Sequence, residues 1–188
     1  MYHKGKDYEE IDKMALQIRI DYGHFEKKLN VFKLAKQLNI VLIKYSSLNE
    51  EQLDHILNES ELKDGLTIIK KRNGEYKYIT FYNDKLGMTR RRLTIGHEIK
   101  HVVYLEEDPS EKDEDLANHF ARYILAPTCL IMPYVMKKSS ILEIIEDFGI
   151  SKEAAQNAYS QAENRITSGN ENLTDIEKEF MAGYKKQL

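Results

Sequence analysis

His97-Glu98-Ile99-Lys100-His101 is the segment whose residue types and spacing could do chemistry. On an α-helix, residues four apart differ by about 40° around the axis, so His97 and His101 project from one face. Two neutral imidazoles placed there can bind one divalent cation, and Zn²⁺ suits them at roughly 2.0–2.1 Å. Glu98 is the next residue along the helix and can lean over a water held by that cation. Zinc lowers the pKa of such a water to about 7 and polarises a carbonyl, while the carboxylate takes the proton as the water attacks. The chemistry this pattern points to is hydrolysis at a carbonyl.

Five residues of this kind arise by chance in many helices, so context matters. Ile95, Ile99, Val102 and Val103 make the same helix largely apolar. Two imidazoles and a carboxylate on a buried helix are costly unless satisfied, and a cation satisfies them better than solvent does. A catalytic zinc site usually takes three protein ligands, which leaves one to find. The acidic and imidazole residues downstream are Glu106, Glu107, Asp108, Glu111, Asp113, Glu114, Asp115 and His119. Residues 106–108 read as a solvated acidic loop, and His119 as an ordinary, partly exposed histidine. A helix aims a side chain better than a loop. Glu114 shares a helix side with Ala117, Asn118 and Ala121, which are small enough to let it approach, and Asn118 could orient its carboxylate.

The elements that must position these residues follow from hydrophobic periodicity. Residues 8–21 read as a helix ended by Gly23, and 31–38 as a second helix capped by Asn30. Residues 40–45 (IVLIKY) read as a β-branched strand, and 50–58 as a short helix. Residues 66–71 and 76–82 form a hairpin around Asn73-Gly74, a dipeptide that takes the positive φ a tight turn needs. The chemistry-bearing helix runs from 89 to about 105. A second strong helix spans 111–125, with Leu116, Phe120, Tyr123 and Ile124 facing the core. Residues 140–148, 151–166 and 174–187 read as three more helices. Ser151 caps one of them, and Thr174 with Glu177 forms a capping box on another. The whole reads as one domain over 1–188, with N-terminal helices and the first strand over 1–60, the hairpin and catalytic helices over 61–127, and C-terminal helices over 128–188.

Composition narrows the class. The chain has 188 residues, 41% hydrophobic and 31% charged, with 9 Gly and 3 Pro. That mixture belongs to a globular chain and not to a disordered or fibrous one. A net charge of −3 argues against a general nucleic-acid binder. A single Cys cannot make an internal disulfide and points to a reducing compartment. The first thirteen residues carry no apolar export segment, and no apolar run approaches the roughly 18 residues a membrane span needs. The expected location is cytoplasmic.

The segment TIGHEIKH at 94–101, followed by EDLANHFARYILAP at 114–127, resembles the ImmA/IrrE family of metallopeptidases. That family pairs an H-E-x-x-H helix with a helix reading E-x-x-A-N-x-F-A-x-x-L-L-x-P. Here Glu114, Ala117, Asn118, Phe120, Ala121, Leu125 and Pro127 match the second element. Residues 31–45 and 148–155 are more loosely similar to the family's opening helix-to-strand unit and its C-terminal helices. The resemblance implies one Zn²⁺ per chain held by His97, His101 and Glu114, with Glu98 as general base. It implies an α+β, zincin-like fold, mostly helical, with a small twisted antiparallel sheet and the active-site helix carrying H-E-x-x-H. It also implies a protein substrate, a helix-turn-helix transcriptional repressor of a mobile element or stress regulon. Such a protein could cleave the repressor or, alternatively, bind and sequester it without proteolysis. Family members often have Gly where this chain has Lys100, which is expected to point to solvent.

The remaining polar residues read as structural. Arg90-Arg91-Arg92 is expected to be a solvated run, and Lys70-Lys71-Arg72 the exposed end of the hairpin. That hairpin, as a sheet edge, could accept a substrate strand. Tyr104, Tyr123 and Tyr134 lie near the motif in sequence, but none is assigned a role. Cys129 reads as a small buried hydrophobe, and His3, His24 and His55 as surface residues. Residues 140–166 could be taken for a DNA-binding helix pair. Their second helix is too poor in cations for phosphate contacts, and packing or substrate docking suits it better.

Overall fold

The computed structural model describes residues 5–59 and 64–187. His3, expected at the surface, lies outside the described residues. The chain divides into two units, residues 1–29 with 122–188 and residues 30–121.

The unit over 30–121 holds the sheet and the motif. α1 (Lys6–Asp21) belongs to the other unit, and α2 (Val31–Gln37) opens this one. Asn30 caps α2, its side chain accepting from the Lys33 N–H. β1 (Ile40–Lys44) follows, then a short 3-10 turn at Tyr45–Ser47 and α3 (Glu50–Glu59). β2 (Gly65–Arg72) and β3 (Glu75–Tyr82) form the expected antiparallel hairpin. Its turn places Asn73 at φ 53° and Gly74 at φ 84°.

The sheet departs from expectation in one respect. Its order is β1-β3-β2, and β1 runs parallel to β3, so the sheet is mixed and not antiparallel. The chain leaves β1 through α3 and returns at the far edge as β2, so the hairpin's second strand falls between the other two. α4 (Met88–Tyr104) packs on the hairpin and on α2, and α5 (Glu111–Leu125) follows it. Ile95, Ile99, Val102, Ala117, Phe120 and Ala121 are all buried on these helices, whereas Leu116 is only half-buried.

The second unit is helical. α1 packs on α9 (Asp175–Lys186), and α8 (Lys152–Thr167) packs on α6 (Thr128–Met136) and α7 (Ile141–Phe148). The expected caps are present at Ser151 and at Thr174 with Glu177. α6 was not legible as a helix. Its sequence TCLIMPYVM is buried on most faces and carries Pro133 inside, so it shows no amphipathic period.

Expectations of solvent exposure fail at His24 and Arg92. His24 is buried, with Nδ1 2.9 Å from Glu26 Oε1, because the chain after Gly23 folds back on Arg19, whose guanidinium donates to the His24 carbonyl. Arg92 is buried as well, on the inner side of α4, while Arg90 is exposed and pairs with Asp64. Among the described residues, no helix is long and apolar enough to cross a membrane.

Candidate metal centre

α4 carries His97, Glu98 and His101 where it is most deeply buried; all three are 5% exposed. It comes close to α5 because Gly96 has no side chain. A Cβ on Gly96 would lie 3.3 Å from Ala121 Cα and 3.4 Å from Ala121 Cβ. α5 begins at a reciprocal cap, in which the Ser110 hydroxyl donates to Asp113 Oδ2 at 2.6 Å and accepts from the Asp113 N–H at 3.3 Å. That cap puts Glu114 in the first turn, where the helix dipole favours a carboxylate.

Three side chains converge there. His97 Nε2 and His101 Nε2 are 3.0 Å apart. Glu114 Oε2 lies 3.0 Å from His97 Nε2, and Glu114 Oε1 lies 3.3 Å from His101 Nε2. Ligands at roughly 2.0–2.1 Å from a tetrahedral centre sit about 3.3 Å from one another, close to these spacings. The outer ring nitrogens show which protons are present. His101 Nδ1 lies 2.8 Å from Glu106 Oε2, a carboxylate that can only accept, so Nδ1 carries the proton. His97 Nδ1 donates to Asn118 Oδ1 at 3.2 Å. With the proton of each neutral ring on Nδ1, the Nε2 lone pairs would face each other and a carboxylate. Glu114 Oε2 is buried and makes no hydrogen bond. A set of acceptors facing inward without a donor fits a cation, and His97, His101 and Glu114 form a group that could hold one.

Protons compete with a cation for the same groups. The two imidazoles, His101 first, hold the Glu114 carboxyl far below the usual range. Burial alone would lower the His101 pKa, but hydrogen bonding and charge from Glu114, Glu98 and Glu106 raise it. Burial pushes the Glu98 carboxyl up, opposed by His97 and by a hydrogen bond from Thr67. Thr67 lies across the hairpin from Thr80, their hydroxyls 2.7 Å apart. If Thr67 donates to Glu98, Thr80 supplies the proton for Thr67. Gly65, at the start of β2, lets the strand meet α4 here, since a Cβ would lie 2.6 Å from Thr94 Cγ2 and 3.2 Å from Glu98 Oε1. A small cleft of about 40 Å³ opens beside His97 and Glu98, bordered by Gly65, Arg90, Leu93 and Asn118.

Several expectations change. Asn118 orients His97 and not Glu114. Glu106 is not a solvated loop residue; it is half-buried and bonded to His101 and to Lys100, while Glu107 and Asp108 are exposed as expected. Lys100 does not point to solvent; it is 1% exposed. Asp115 is exposed and His119 half-buried, away from the converging atoms. Tyr45, not singled out by sequence, is buried beside this site. Burial and the charges of Glu98 and Asp64 push its phenol up to about 12. Nothing in its local sequence marked it.

The other unit has a wider, open cleft of about 530 Å³ between α1, α8 and α9. Its charged pair, Arg165 and Glu177, is satisfied internally, with contacts of 2.6 and 2.8 Å. Converging, unsatisfied acceptors, and not cleft size, mark the place where chemistry can occur.

No curated protein and no solved structure matches the chain. The family model described as the IrrE N-terminal-like peptidase domain matches residues 35–160, more than half of the chain, and the chain belongs to that family.

Proposed function

We propose that the chain is a zinc-dependent endopeptidase that hydrolyses a peptide bond in a helix-turn-helix transcriptional repressor and works in the cytoplasm. The observation that carries the hydrolytic reading is the inward-facing acceptor set of His97, His101 and Glu114 with the buried Glu98 carboxylate on the same helix. The family membership supports the peptidase class. The repressor and the location rest on the sequence resemblance.

His97, His101 and Glu114 would hold the cation, their rings oriented by Asn118 and Glu106. Bound there, zinc supplies Lewis acidity and makes a water acidic enough to react near neutral pH. Glu98 takes one proton from the attacking water and returns it to the departing amine. The C–N bond breaks, the water oxygen ends in the new carboxyl group, and that group's remaining proton passes to the freed amine, leaving a carboxylate and an ammonium. A base raised by burial holds that proton more firmly than an exposed carboxylate would. β2 is an edge strand that begins at Gly65 beside Glu98, so an extended substrate could pair along it.

The test has two parts. Elemental analysis should find about one zinc per wild-type chain and none in His97→Ala. New protein N-termini should then appear in host cells expressing wild type and be absent with Glu98→Gln, which keeps its zinc. A Glu98→Gln variant that retains both its zinc and its regulatory effect would favour sequestration of the repressor over cleavage.

A further inference from the structure

Nothing in the H-E-x-x-H pattern calls for a cation beside the second histidine, yet Lys100 is one of the most completely buried side chains, at 1% exposed. Its ammonium has three protons and three acceptors. These are Glu106 Oε1 at 2.5 Å, Glu106 Oε2 at 2.7 Å and the Asp113 carbonyl at 3.0 Å. An ammonium has no further donor, so the group is fully used within the protein. Both residues it grips are next to the acceptor set. Glu106 accepts from His101 Nδ1, and Asp113 immediately precedes Glu114.

The backbone prepares this contact. α4 ends at Leu105 in the left-handed region, φ 53°, and the Glu106 N–H donates to the His101 carbonyl at 2.9 Å. That turn sends the Glu106 side chain back along the last turn of the helix. There it meets His101 Nδ1, on the side of the ring away from the converging Nε2 atoms. Paired with Lys100 it adds no net charge, and both its oxygens are engaged.

We propose that Lys100 and Glu106 are positioning residues of the metal centre. Lys100 keeps the Glu106 carboxylate on His101 Nδ1, so that His101 Nε2 faces the centre, and through Asp113 it fixes the start of α5 so that Glu114 meets the two imidazoles. This inference rests on the reading of His97, His101 and Glu114 as metal ligands.

The test uses Lys100→Met, Glu106→Gln and the double variant, each checked for native helix content by circular dichroism. Zn²⁺ affinity is measured by competition with a chelator, and the visible spectrum of the Co²⁺-loaded protein reports ligand geometry. Loss of a partner that orients a metal-bound histidine costs roughly 10–100-fold in affinity. Each single variant should bind Zn²⁺ more weakly by about that factor, with a changed Co²⁺ spectrum. The double variant should lose less than the product of the two single losses, because the residues act together. If Lys100→Met does not fold, the near-isosteric Glu106→Gln carries the test. Affinity within about twofold of wild type and an unchanged Co²⁺ spectrum, while His97→Ala abolishes binding, would overturn this inference and leave the metal site standing. A wild-type chain that binds neither metal would overturn both.

Discussion

Gly65→Ala adds one methyl group where β2 meets α4, and the consequence can be worked out. The new Cβ would lie 2.6 Å from Thr94 Cγ2, 3.2 Å from Glu98 Oε1 and 3.2 Å from the Phe81 carbonyl. Carbon atoms in contact prefer about 3.5–4.0 Å, so the Thr94 contact demands a shift of roughly 1 Å. Thr94 is buried on α4 and Phe81 O belongs to the backbone of β3, so neither yields easily. Overpacking of this kind costs about 1–3 kcal/mol, and for a chain of this length each kcal/mol lowers Tm by about 2–4 °C. The activity effect should be larger. Glu98 is one turn from Thr94 and faces the same methyl, and a displacement of about 1 Å at a reacting group can cost roughly a hundredfold. The assay is a thermal melt, a zinc determination and cleavage of the substrate found by the N-terminus comparison. Gly87→Ser is the control, since a Cβ there meets nothing within 4 Å and serine suits the N-cap of α4. The expected result is a lowered Tm, retained zinc and strongly reduced cleavage for Gly65→Ala, with little change for Gly87→Ser. A Gly65→Ala protein with wild-type Tm and wild-type cleavage would refute the close approach of β2 to Glu98.

Three further outcomes can be checked. Asn118→Leu removes the acceptor from His97 Nδ1, so Zn²⁺ affinity by chelator competition should fall roughly tenfold or more with helix content intact. Glu177 is buried, and its bonds to Arg165 and Thr174 outweigh that burial and hold its pKa below the usual value. A depressed carboxylate contributes stability above its unfolded pKa of about 4.3 and loses it as pH falls through the folded value. Wild type should therefore be more stable than Glu177→Gln in urea unfolding at pH 7, and the gap should narrow as pH falls below about 4. Cys129 is buried, and burial pushes its thiol up to about 12. Iodoacetamide at pH 8 should label the native chain about a thousandfold more slowly than the urea-unfolded chain, as read by mass spectrometry.

The parts of the fold that rest on short-range rules were legible from residues alone. The Asn73-Gly74 hairpin, the Asn30 and Ser151 caps and the Thr174–Glu177 capping box all depend on groups within four residues of one another. α5 was read over the same residues it occupies, because its apolar positions recur at helical spacing. α6 escaped notice because a helix buried on most faces has no polar side to give it a period. The order of the strands was equally hidden, since nothing in IVLIK distinguishes a parallel neighbour from an antiparallel one.

The same division runs through the metal centre. Sequence alone determined that His97 and His101 share a face, because that is helix geometry, and it singled out Glu114 on the next helix from the small residues around it. Family membership follows from the same two segments and is shown over residues 35–160. Only the tertiary structure decided which groups face those residues from elsewhere. It gave Asn118 to His97, drew Glu106 out of an acidic loop to His101, and buried Lys100 between Glu106 and Asp113. A charged residue reads as exposed until its counter-charge is located. Here that partner comes from beyond the helix end and from the next helix, contacts made only when α4 and α5 come together and that no local period records.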